Sequence, residues 1–353
     1  MKISFILPAL IKVPIGGVKV IYRYARELAD LGHDVTIFSP KRESNFLYHI
    51  IKSESIKIRD YFHQVKNEPY YKTPNNVEHY IIPEPSHKYI SDGDIIIATG
   101  WQTAYWVDAL PDSKGSKFYF IQNYETYQGN RKIIQNTWKL PLKKIVIAKW
   151  LKEVAEKMNE TVYGQIPNAI DSSEFYITQS INNRPAHISM LYHRLSIKGG
   201  KKGLLSLNNI KSDYPNLEAT IFSSRPLSTN IPNWINLEIR PQINRLREIY
   251  NSSAIFLHPS QREGWGLPPM EAMACGCAIV AMANDGVKEY ITHNQSGLLS
   301  PIGNVDSMIE NIKYLLNNTD KRYNIAKNGN KKIKEYSWQR NTKQLEKILI
   351  NSK

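Results

Sequence analysis

Two glutamates, Glu263 and Glu271, stand eight positions apart in a segment whose other residues suit contact with a charged ligand. Gly264 and Gly266 let the backbone approach a ligand closely, and two prolines beginning at Pro268 mark the start of a helix. Backbone amides at a helix start point toward a bound anion, and the helix dipole reinforces that attraction. We therefore expect Glu271, in the first helical turn, to accept two vicinal ribose hydroxyls. Glu263, in the loop, would reach a sugar on the other side of the phosphates.

The same segment resembles a family signature. An acidic residue in a first helical turn is by itself ordinary helix chemistry, but here the loop, the glycines, the prolines and both acids coincide. The run 262–276 resembles the Glu-x7-Glu signature of retaining nucleotide-sugar glycosyltransferases of family 4. That resemblance implies the GT-B fold, an α/β architecture of two Rossmann-like domains whose parallel sheets face across a cleft. The donor-site residues that it implies in this run are Gly264, Trp265, Gly266, Leu267 and Glu271.

Two further groups of residues are predicted to contact the donor's phosphates. Gly16 and Gly17 follow the first predicted strand and open a helix, so their amides could face a diphosphate; otherwise they only tighten the turn. In the family that the chain resembles, a glycine-rich loop at this place contacts the donor phosphates. Arg194 and Lys198 follow the first strand of the second predicted domain, and two cations there suit a diphosphate leaving group. Their spacing is shorter than in many relatives, and solvated surface cations are the alternative interpretation.

Polar and aromatic residues that follow two other predicted strands form the expected acceptor side. Many relatives have a histidine that touches the donor sugar at the position of the run 99–103, which contains no histidine in this chain. Gln102 or Thr103 would take its place, and the identity of the donor sugar stays open. The run 120–127 is similar to the Gln-x-Tyr/Phe-Glu segment of bacterial polysaccharide- and rhamnose-transferring relatives. Tyrosine rings stack on sugars and their hydroxyls form hydrogen bonds, although a cluster of surface tyrosines is the alternative. The acceptor-side candidates are Gln102, Asn123, Tyr124 and Glu125.

Other polar positions near strand ends have open interpretations. The run 284–289 is similar to the Gly-Gly-x-x-Glu turn of the family, with Asp285 in place of the first glycine, and a capped helix start explains it equally well. His193 and His258 have no carboxylate or serine partner at motif spacing, so they do not indicate a hydrolase. Arg240 is a candidate to face the nucleotide base, but nothing in the sequence selects uracil, guanine or thymine.

The elements that must position these residues alternate between strands and helices, the pattern of parallel sheets covered on both faces. Residues 1–170 predict a Rossmann-like acceptor domain, and residues 171–336 predict a Rossmann-like donor domain. A final helix over 337–353 crosses back to the first domain, as the resemblance implies. Ligands bind beyond the carboxyl ends of parallel strands, and the glycine, cation and glutamate groups all follow predicted strands. One further predicted strand, 56–61, carries no site residue.

Composition limits the alternatives for location and partners. The chain has 353 residues, a net charge of +14 and a sequence pI of about 9.4. The charge suits an anionic membrane surface that carries a lipid-linked substrate, or it reflects composition alone; no nucleic-acid motif accompanies it. No apolar run is long enough to span a membrane, the N-terminus lacks a signal-peptide cleavage site, and Cys275 and Cys277 are interpreted as reduced, buried residues. We expect a cytoplasmic enzyme, at the inner face of the cell membrane if the charge is functional.

The residues and the resemblance together predict a hexosyl- or deoxyhexosyltransferase that acts with retention. A UDP-, dTDP- or GDP-sugar would be the donor, and a glycan or a lipid-linked molecule the acceptor, in the synthesis of a cell-surface polysaccharide or glycoconjugate. Lys198 and Arg194 would stabilise the departing phosphate while Glu263 orients the sugar. No cofactor or metal is expected, because no Asp-x-Asp pair is placed for one. A GT-B sugar-nucleotide epimerase and a non-catalytic basic binding protein are the alternatives; a dehydrogenase would need the GxGxxG fingerprint that this chain lacks.

Overall fold

The chain folds into two compact units. The computed structural model describes residues 1–11, 13–41, 70–182, 184–227 and 229–351. One unit comprises Met1–Pro167 together with Trp338–Lys353, and the other comprises Asn168–Ser337. The sequence analysis placed these divisions after residues 170 and 336. The predicted strand 56–61 lies outside the described residues.

The first unit is built on a parallel sheet of seven strands, counted over the described residues. Its strands are β1 (Lys2–Ile6), β2 (Asp34–Pro40), β3 (Glu78–Ile82), β4 (Ile95–Ala98), β5 (Ser116–Ile121), β6 (Lys143–Val146) and β7 (Val162–Gln165). They lie in the order β3-β2-β1-β4-β5-β6-β7, and each pairing is parallel. All four residues of β4 are buried, as expected for a central strand covered on both faces. The carboxyl ends of β1, β4 and β5 therefore lie side by side.

Five helices belong to this unit within the described residues. They are α1 (Gly16–Asp30), α2 (Trp101–Asp108), α3 (Arg131–Thr137), α4 (Lys149–Glu156) and, numbered along the chain, α11 (Trp338–Ile350). Neither α3 nor the strand β7 was predicted from the sequence, because seven and four residues are too few to show a clear periodicity. A local signal for α3 was present. The Asn130 side chain accepts hydrogen bonds from the amides of Lys132 and Ile133, as a helix cap does.

The C-terminal helix α11 packs on the first unit. The Trp338 ring meets the Tyr24 ring edge-on, with 5.1 Å between centroids. Nε2 of His33 lies 2.9 Å from Oε1 of Glu346 near the other end of the helix. Leu345 is fully buried between these two attachments. The last helix is therefore part of the core of the first unit, although it follows the whole second unit in sequence.

The second unit contains a parallel sheet of six strands, again counted over the described residues. Its strands are β8 (His187–Leu191), β9 (Glu218–Ser223), β10 (Ile235–Ile239), β11 (Ile255–His258), β12 (Ala278–Met282) and β13 (Leu298–Ser300). Their order is β10-β9-β8-β11-β12-β13. The helices are α5 (Gly200–Asp213), α6 (Ile243–Ser252), α7 (Leu267–Ala274), α8 (Asp285–Lys288), α9 (Val305–Asn317) and α10 (Thr319–Ile333). Because β8 and β11 are neighbours, the segments that follow them meet at one edge of the sheet.

A buried arginine ties the entry of the second unit to its core. Arg184 donates to the carbonyls of Tyr250 and Ser253, at 3.2 and 3.0 Å, and to the carbonyl of Cys275 at 2.7 Å. These carbonyls satisfy the charge that burial would otherwise make costly. Cys275 and Cys277 are free and buried, as the sequence predicted. Burial raises the pKa of Cys277 to about 12, so its thiol stays protonated and unreactive.

Candidate functional site

An ion pair joins two of the predicted site residues in the second unit. Nζ of Lys198 lies 2.7 Å from Oε2 of Glu263, and it also donates to the carbonyl of Arg262 at 3.3 Å. The two side chains are only 20% and 15% exposed. Burial alone would raise the pKa of Glu263, but the charge of Lys198 and its hydrogen bond hold that pKa below its ordinary value. Glu263 is therefore a carboxylate held ionised by a partly buried ammonium.

The backbone that carries Lys198 is pressed against the loop after β11. Lys198 ends a short 3-10 turn, and the next residue, Gly199, has a left-handed backbone with φ of 67°. A side chain at Gly199 would collide with the backbone carbonyl of Pro259, so only glycine fits this crossing. The amide of Gln261 donates to the carbonyl of Ile197 at 2.8 Å. Strand order and this glycine together bring Lys198 to Glu263 across 65 positions of sequence.

A histidine that the sequence analysis left without a partner lies beside the same glutamate. His258 ends β11 and is 4% exposed, and its Nε2 lies 3.7 Å from Oε1 of Glu263. Burial lowers the pKa of His258 to about 4 despite the nearby carboxylate, so the ring is neutral at neutral pH. Glu263, five positions later, is thus a carboxylate close to His258, although Nε2 of the neutral ring makes no hydrogen bond to it.

The loop between β11 and α7 is fixed by aromatic packing. The Trp265 ring is 3% exposed and packs against Tyr290 and Tyr336, with 5.6 Å between centroids in each case. The Tyr290 hydroxyl donates to the carbonyl of Gly266 at 2.6 Å. Gly266 has φ of 94° and caps the start of α7. Trp265, predicted to bind the donor, thus directs its ring into the core, and its backbone is what this loop can present to a ligand. Gly264 is buried and Leu267 half-buried in the same loop.

Glu271 lies in the second turn of α7, and its predicted place in the first turn was wrong. The helix begins at Leu267, directly after the left-handed Gly266, and therefore includes both prolines. The prolines were predicted to be the first helical residues, whereas the helix begins one residue earlier, after the Gly266 cap. The Tyr250 hydroxyl donates to Oε2 of Glu271 at 3.2 Å, and Glu271 is only 8% exposed.

The segment after β12 is a capped helix start that also supports the Glu263 loop. Oδ1 of Asn284 accepts from the amide of Val287 at 3.1 Å, and its Nδ2 donates to the carbonyl of Ser260 at 2.8 Å. A side chain at Gly286 would stand 2.9 Å from Cβ of Glu263. This observation favours the capping interpretation of the run 284–289, since Asn284 makes both bonds.

Arg194 and Lys198 contact different parts of the second unit. Its exposed guanidinium donates to the carbonyl of Pro226 at 3.0 Å, beyond β9, while Lys198 pairs with Glu263 beyond β11. The two cations follow the same strand, but the structure joins them to opposite neighbours of that strand. Spacing alone does not predict this separation, because four residues of loop can turn either way.

In the first unit, a glutamine not singled out from the sequence contacts the paired glycines. Gly16 and Gly17 open α1, and Nε2 of Gln122 donates to the carbonyl of Gly17 at 3.0 Å. A side chain at Gly17 would come 3.3 Å from the same amide nitrogen. Gln122 is the first residue after β5 and lies within the run 120–127, but it was not among the candidates chosen from that run; its position at a strand end was the available signal.

The acceptor-side candidates divide into two groups. Oε2 of Glu125 accepts from the amide of Trp101 at 3.0 Å, and Gln102 and Glu125 both lie beside Gly100. Burial raises the pKa of Glu125 to about 7, although bonds from Trp101 and Gln128 act in the opposite direction. Glu125 is therefore a carboxyl that exchanges its proton near neutral pH.

Asn123 and Tyr124 are engaged within the protein. Nδ2 of Asn123 donates to the Tyr127 hydroxyl at 3.1 Å, and the Tyr124 hydroxyl accepts from Gln135 at 2.7 Å. Thr103, the other candidate for the missing histidine, is fully buried and bonds to the backbone before α2. Gln102 and Glu125 are thus the acceptor-side candidates that the structure brings together at this edge.

Two negative findings apply to the described parts of the chain. There, no group of three or more His, Cys, Asp or Glu residues is arranged to hold a metal ion. Nor does any helix in those parts combine the length and the apolar character needed to cross a bilayer.

Comparison with known proteins connects the site to a family. The model of the family "Glycosyl transferases group 1" matches residues 223–332, which include the Glu263 loop and Glu271. This part of the second unit is therefore similar to group 1 glycosyl transferases. A Haemophilus influenzae protein described as an uncharacterized glycosyltransferase is 32% identical over 136 residues, covering 36% of this chain and 38% of that protein. The Campylobacter jejuni N,N'-diacetylbacillosaminyl-diphospho-undecaprenol alpha-1,3-N-acetylgalactosaminyltransferase is 35% identical over 89 residues, covering 25% of this chain and 24% of that enzyme.

The likeness in fold extends over the whole chain. Anabaena HepE, solved in complex with UDP-glucose, superposes with a TM-score of 0.75 at 15% identity, covering 99% of this chain and 100% of that one. The chain thus has the GT-B fold of two Rossmann-like units with parallel sheets, as predicted from the sequence. The matches to the two curated relatives span well under half of their length.

Proposed function

We propose that the chain is a retaining glycosyltransferase that moves a hexosyl or deoxyhexosyl group from a nucleoside-diphosphate sugar to a hydroxyl of a glycan or lipid-linked acceptor. The observation that carries the proposal is the Lys198–Glu263 pair at the carboxyl edge of the second sheet. Glu263 lies in the loop between β11 and α7, within the segment that matches group 1 glycosyl transferases. Lys198 precedes that segment and follows β8. The product would enter a cell-surface polysaccharide or glycoconjugate, made at the cytoplasmic face of the membrane.

Lys198 is suited to stabilise a phosphate leaving group. Its ammonium has three rotatable donors on a flexible stem, and one of its present partners is a carboxylate 2.7 Å away. A phosphate oxygen would offer the ammonium an equivalent anionic partner. As the bond between the anomeric carbon and the phosphate oxygen breaks, charge accumulates on that oxygen, and a fixed cation lowers the energy of this state.

No enzyme carboxylate needs to attack the sugar. The acceptor oxygen bonds to the anomeric carbon on the face that the phosphate leaves, and the acceptor proton passes to the departing phosphate oxygen. Glu263 orients the donor sugar and Glu271, supported by Tyr250, accepts the ribose hydroxyls. The residues of the first unit beside Gly100, namely Gln102 and Glu125, serve the acceptor. The reaction is metal-independent.

The comparisons support a uridine donor among the three candidates and a lipid-linked acceptor. HepE was solved with UDP-glucose, and the Campylobacter jejuni relative is named for a diphospho-undecaprenol acceptor. GDP- and dTDP-sugars are the alternatives for the donor. The net charge of +14 fits an anionic membrane that would present such an acceptor.

A thermal-shift panel tests the proposal. The protein is heated with UDP, GDP, dTDP, ADP or NAD without added metal, since selective binding to the native state raises the melting temperature. We expect a clear rise with one of the first three nucleotides and none with NAD. Incubation with the matching sugar nucleotide alone should leave it unchanged, whereas an epimerase would convert it. No rise with any nucleoside diphosphate, at concentrations well above ordinary affinities, would refute the donor site.

A further inference from the structure

A buried histidine at the end of β11 leaves one ring nitrogen without a hydrogen bond. His258 is almost fully buried, and among the described residues its Nε2 has no hydrogen-bond partner. Its ring lies nearly parallel to that of Phe256, with 6.4 Å between centroids and 22° between the planes. Packing of this kind needs a flat ring but no nitrogen. Because a buried polar atom without a partner lowers stability, packing alone does not account for a histidine at this position.

The carboxylate of Glu263 lies beside this nitrogen. Nε2 of His258 is 3.7 Å from Oε1 of Glu263, beyond the range of about 2.7–3.2 Å for an N–H···O bond. Lys198 contacts the other oxygen, Oε2, at 2.7 Å. The neutral ring has one N–H, and the carboxylate favours the tautomer with that hydrogen on Nε2, since a nitrogen lone pair there would face a negative charge. One carboxylate thus lies between an ammonium on Oε2 and an unused N–H donor near Oε1.

A second histidine of the same sheet shows what a structural role looks like. His187 begins β8, at the amino end of its strand, whereas His258 ends β11 at the carboxyl end. Nε2 of His187 lies 2.9 Å from Oγ1 of Thr220, and its Nδ1 lies 3.3 Å from the carbonyl oxygen of Ser252. Both ring nitrogens of His187 therefore have partners within the protein. The unpaired nitrogen occurs instead at the edge of the sheet that carries Glu263.

We propose that His258 is a positioning residue that holds Glu263 when the donor is bound. This role rests on the proposed function, in which the Lys198 ammonium moves from Oε2 to a donor phosphate. Glu263 then loses its cation, and a shift of roughly 0.5–1 Å brings Oε1 within hydrogen-bond distance of Nε2. The N–H of His258 replaces the lost partner, since a buried carboxylate without one is unstable. Oε1 is thereby fixed, and Oε2 is left to accept from the sugar.

Removing the ammonium alone tests this contact without any substrate. In Lys198→Met the carboxylate of Glu263 has no cation, so the Nε2–H of His258 should bond to it in the unliganded protein. Nuclear magnetic resonance of the full chain with ¹⁵N-labelled histidine follows that proton, and the signal absent from His258→Phe identifies it. At neutral pH we expect a downfield shift and slower exchange with water than in the wild type. An unchanged signal in the folded Lys198→Met protein would overturn the proposal.

Substitutions of His258 separate positioning from packing. His258→Phe keeps a flat ring and removes the donor, whereas His258→Gln places an amide N–H near the position of Nε2. His258→Phe should lower kcat for sugar transfer about ten- to a hundredfold, the effect of one lost hydrogen bond to a charged group, and His258→Gln should restore part of it. Affinity for the nucleoside diphosphate, which lacks the sugar, should stay within about twofold of the wild type in calorimetry.

His187→Phe is the matched control. It removes a histidine whose nitrogens are paired, so urea unfolding should show a loss of stability while kcat is unchanged. His258→Phe should show the reverse, because the unliganded protein loses no hydrogen bond of Nε2. If His258→Phe lost stability and activity together, or if His258→Gln were no more active than His258→Phe, the residue would have only a packing role and the proposal would be wrong.

The two proposals fail in different ways. If the wild type transfers sugar and His258→Phe transfers it equally fast, the transferase proposal stands and the positioning role is refuted. If the wild type neither binds a nucleoside diphosphate nor transfers sugar, the transferase proposal fails, and the role of His258 in donor binding fails with it. The Lys198→Met spectrum still decides in that case whether the Nε2–H of His258 bonds to Glu263.

Discussion

Replacing Lys198 by methionine separates the structural role of the Lys198–Glu263 pair from its proposed catalytic role. Methionine keeps an unbranched stem of similar length and removes the ammonium. Glu263 is then left with 15% of its side chain exposed and without its cation. Breaking a buried ion pair from one side costs about 3–5 kcal/mol. Because some exposure remains, we expect about 3 kcal/mol, the lower end of that range.

The catalytic cost should be separate from this loss of stability. A domain with ordinary stability of about 5–15 kcal/mol remains folded after such a change, so the population of native enzyme is nearly unchanged. Loss of one group that stabilises charge in a transition state lowers kcat by about a hundred- to a thousandfold. Lys198→Met should therefore be folded and nearly inactive, measured by urea unfolding and by transfer from the donor identified in the nucleotide panel.

The double variant Lys198→Met with Glu263→Gln provides the control. It removes both charges and keeps both shapes, so most of the lost stability should return, because no buried charge is unpaired. Activity should not return. If activity recovered with stability, the pair would have only a structural role and the assignment of Lys198 to the leaving group would be refuted.

The pH dependence of stability gives a second, independent check. In the wild type the pKa of Glu263 is below its ordinary value, so its contribution to stability is present above the unfolded pKa and is lost as pH falls through the folded pKa. Without Lys198, burial raises that pKa, and stability is lost as pH rises instead. The difference in unfolding free energy between wild type and Lys198→Met should therefore widen from acid to neutral pH; a constant difference would contradict the account.

Three further predictions concern single side chains. Gly199→Ala should lower the unfolding free energy by more than about 2 kcal/mol, because the added methyl group collides with the Pro259 carbonyl at a residue with a left-handed backbone. Gly32→Ala is the control, since Gly32 is also left-handed but has open space at the position of the added methyl group, and it should cost about 1 kcal/mol in urea unfolding. Glu125→Gln should remove a pH dependence of the unfolding free energy. Because the pKa of Glu125 is raised, the wild type should lose stability relative to the variant as pH rises from about 4 to about 7. A difference in melting temperature between the two proteins that stays constant over this pH range would exclude this. Tyr250→Phe should cost about 1 kcal/mol and weaken nucleotide binding in calorimetry through the lost bond to Glu271, whereas unchanged nucleotide affinity would argue against the ribose role.

The order of elements was predictable because it depends on local pattern. Alternating apolar strands and amphipathic helices predicted two Rossmann-like domains, and the glycine- and proline-rich run predicted the loop that holds Glu263. The start of α7 was missed by the sequence because a left-handed glycine, rather than a proline, ends the loop. Whether Gly266 takes that conformation depends on Tyr290, which bonds its carbonyl from 24 positions away.

The contacts within the site were not predictable from spacing. Lys198 and Glu263 are 65 positions apart, and Gln122 and Gly17 are 105 positions apart. Each pair is brought together by the order of strands in its sheet, which no single segment specifies. A prediction based on strand ends could identify the residues near an edge but not the direction of each side chain. Arg194 shows the consequence, since it turns toward β9 although its neighbour Lys198 turns toward β11.

The loops around Glu263 hold the carboxylate in place before any ligand arrives. Asn284 bonds the carbonyl of Ser260, Gly286 leaves no space beside Cβ of Glu263, and the Lys198 turn is bonded to Gln261. Lys198 has the longer side chain of the pair, so we expect it to be the member that moves. An incoming group can draw its ammonium away only by offering an anionic oxygen, because a neutral hydroxyl cannot replace a carboxylate at 2.7 Å. Under the proposed function, we therefore expect the Lys198 ammonium to leave Oε2 of Glu263 for a bound phosphate and not for a sugar alone, which frees that oxygen for the sugar.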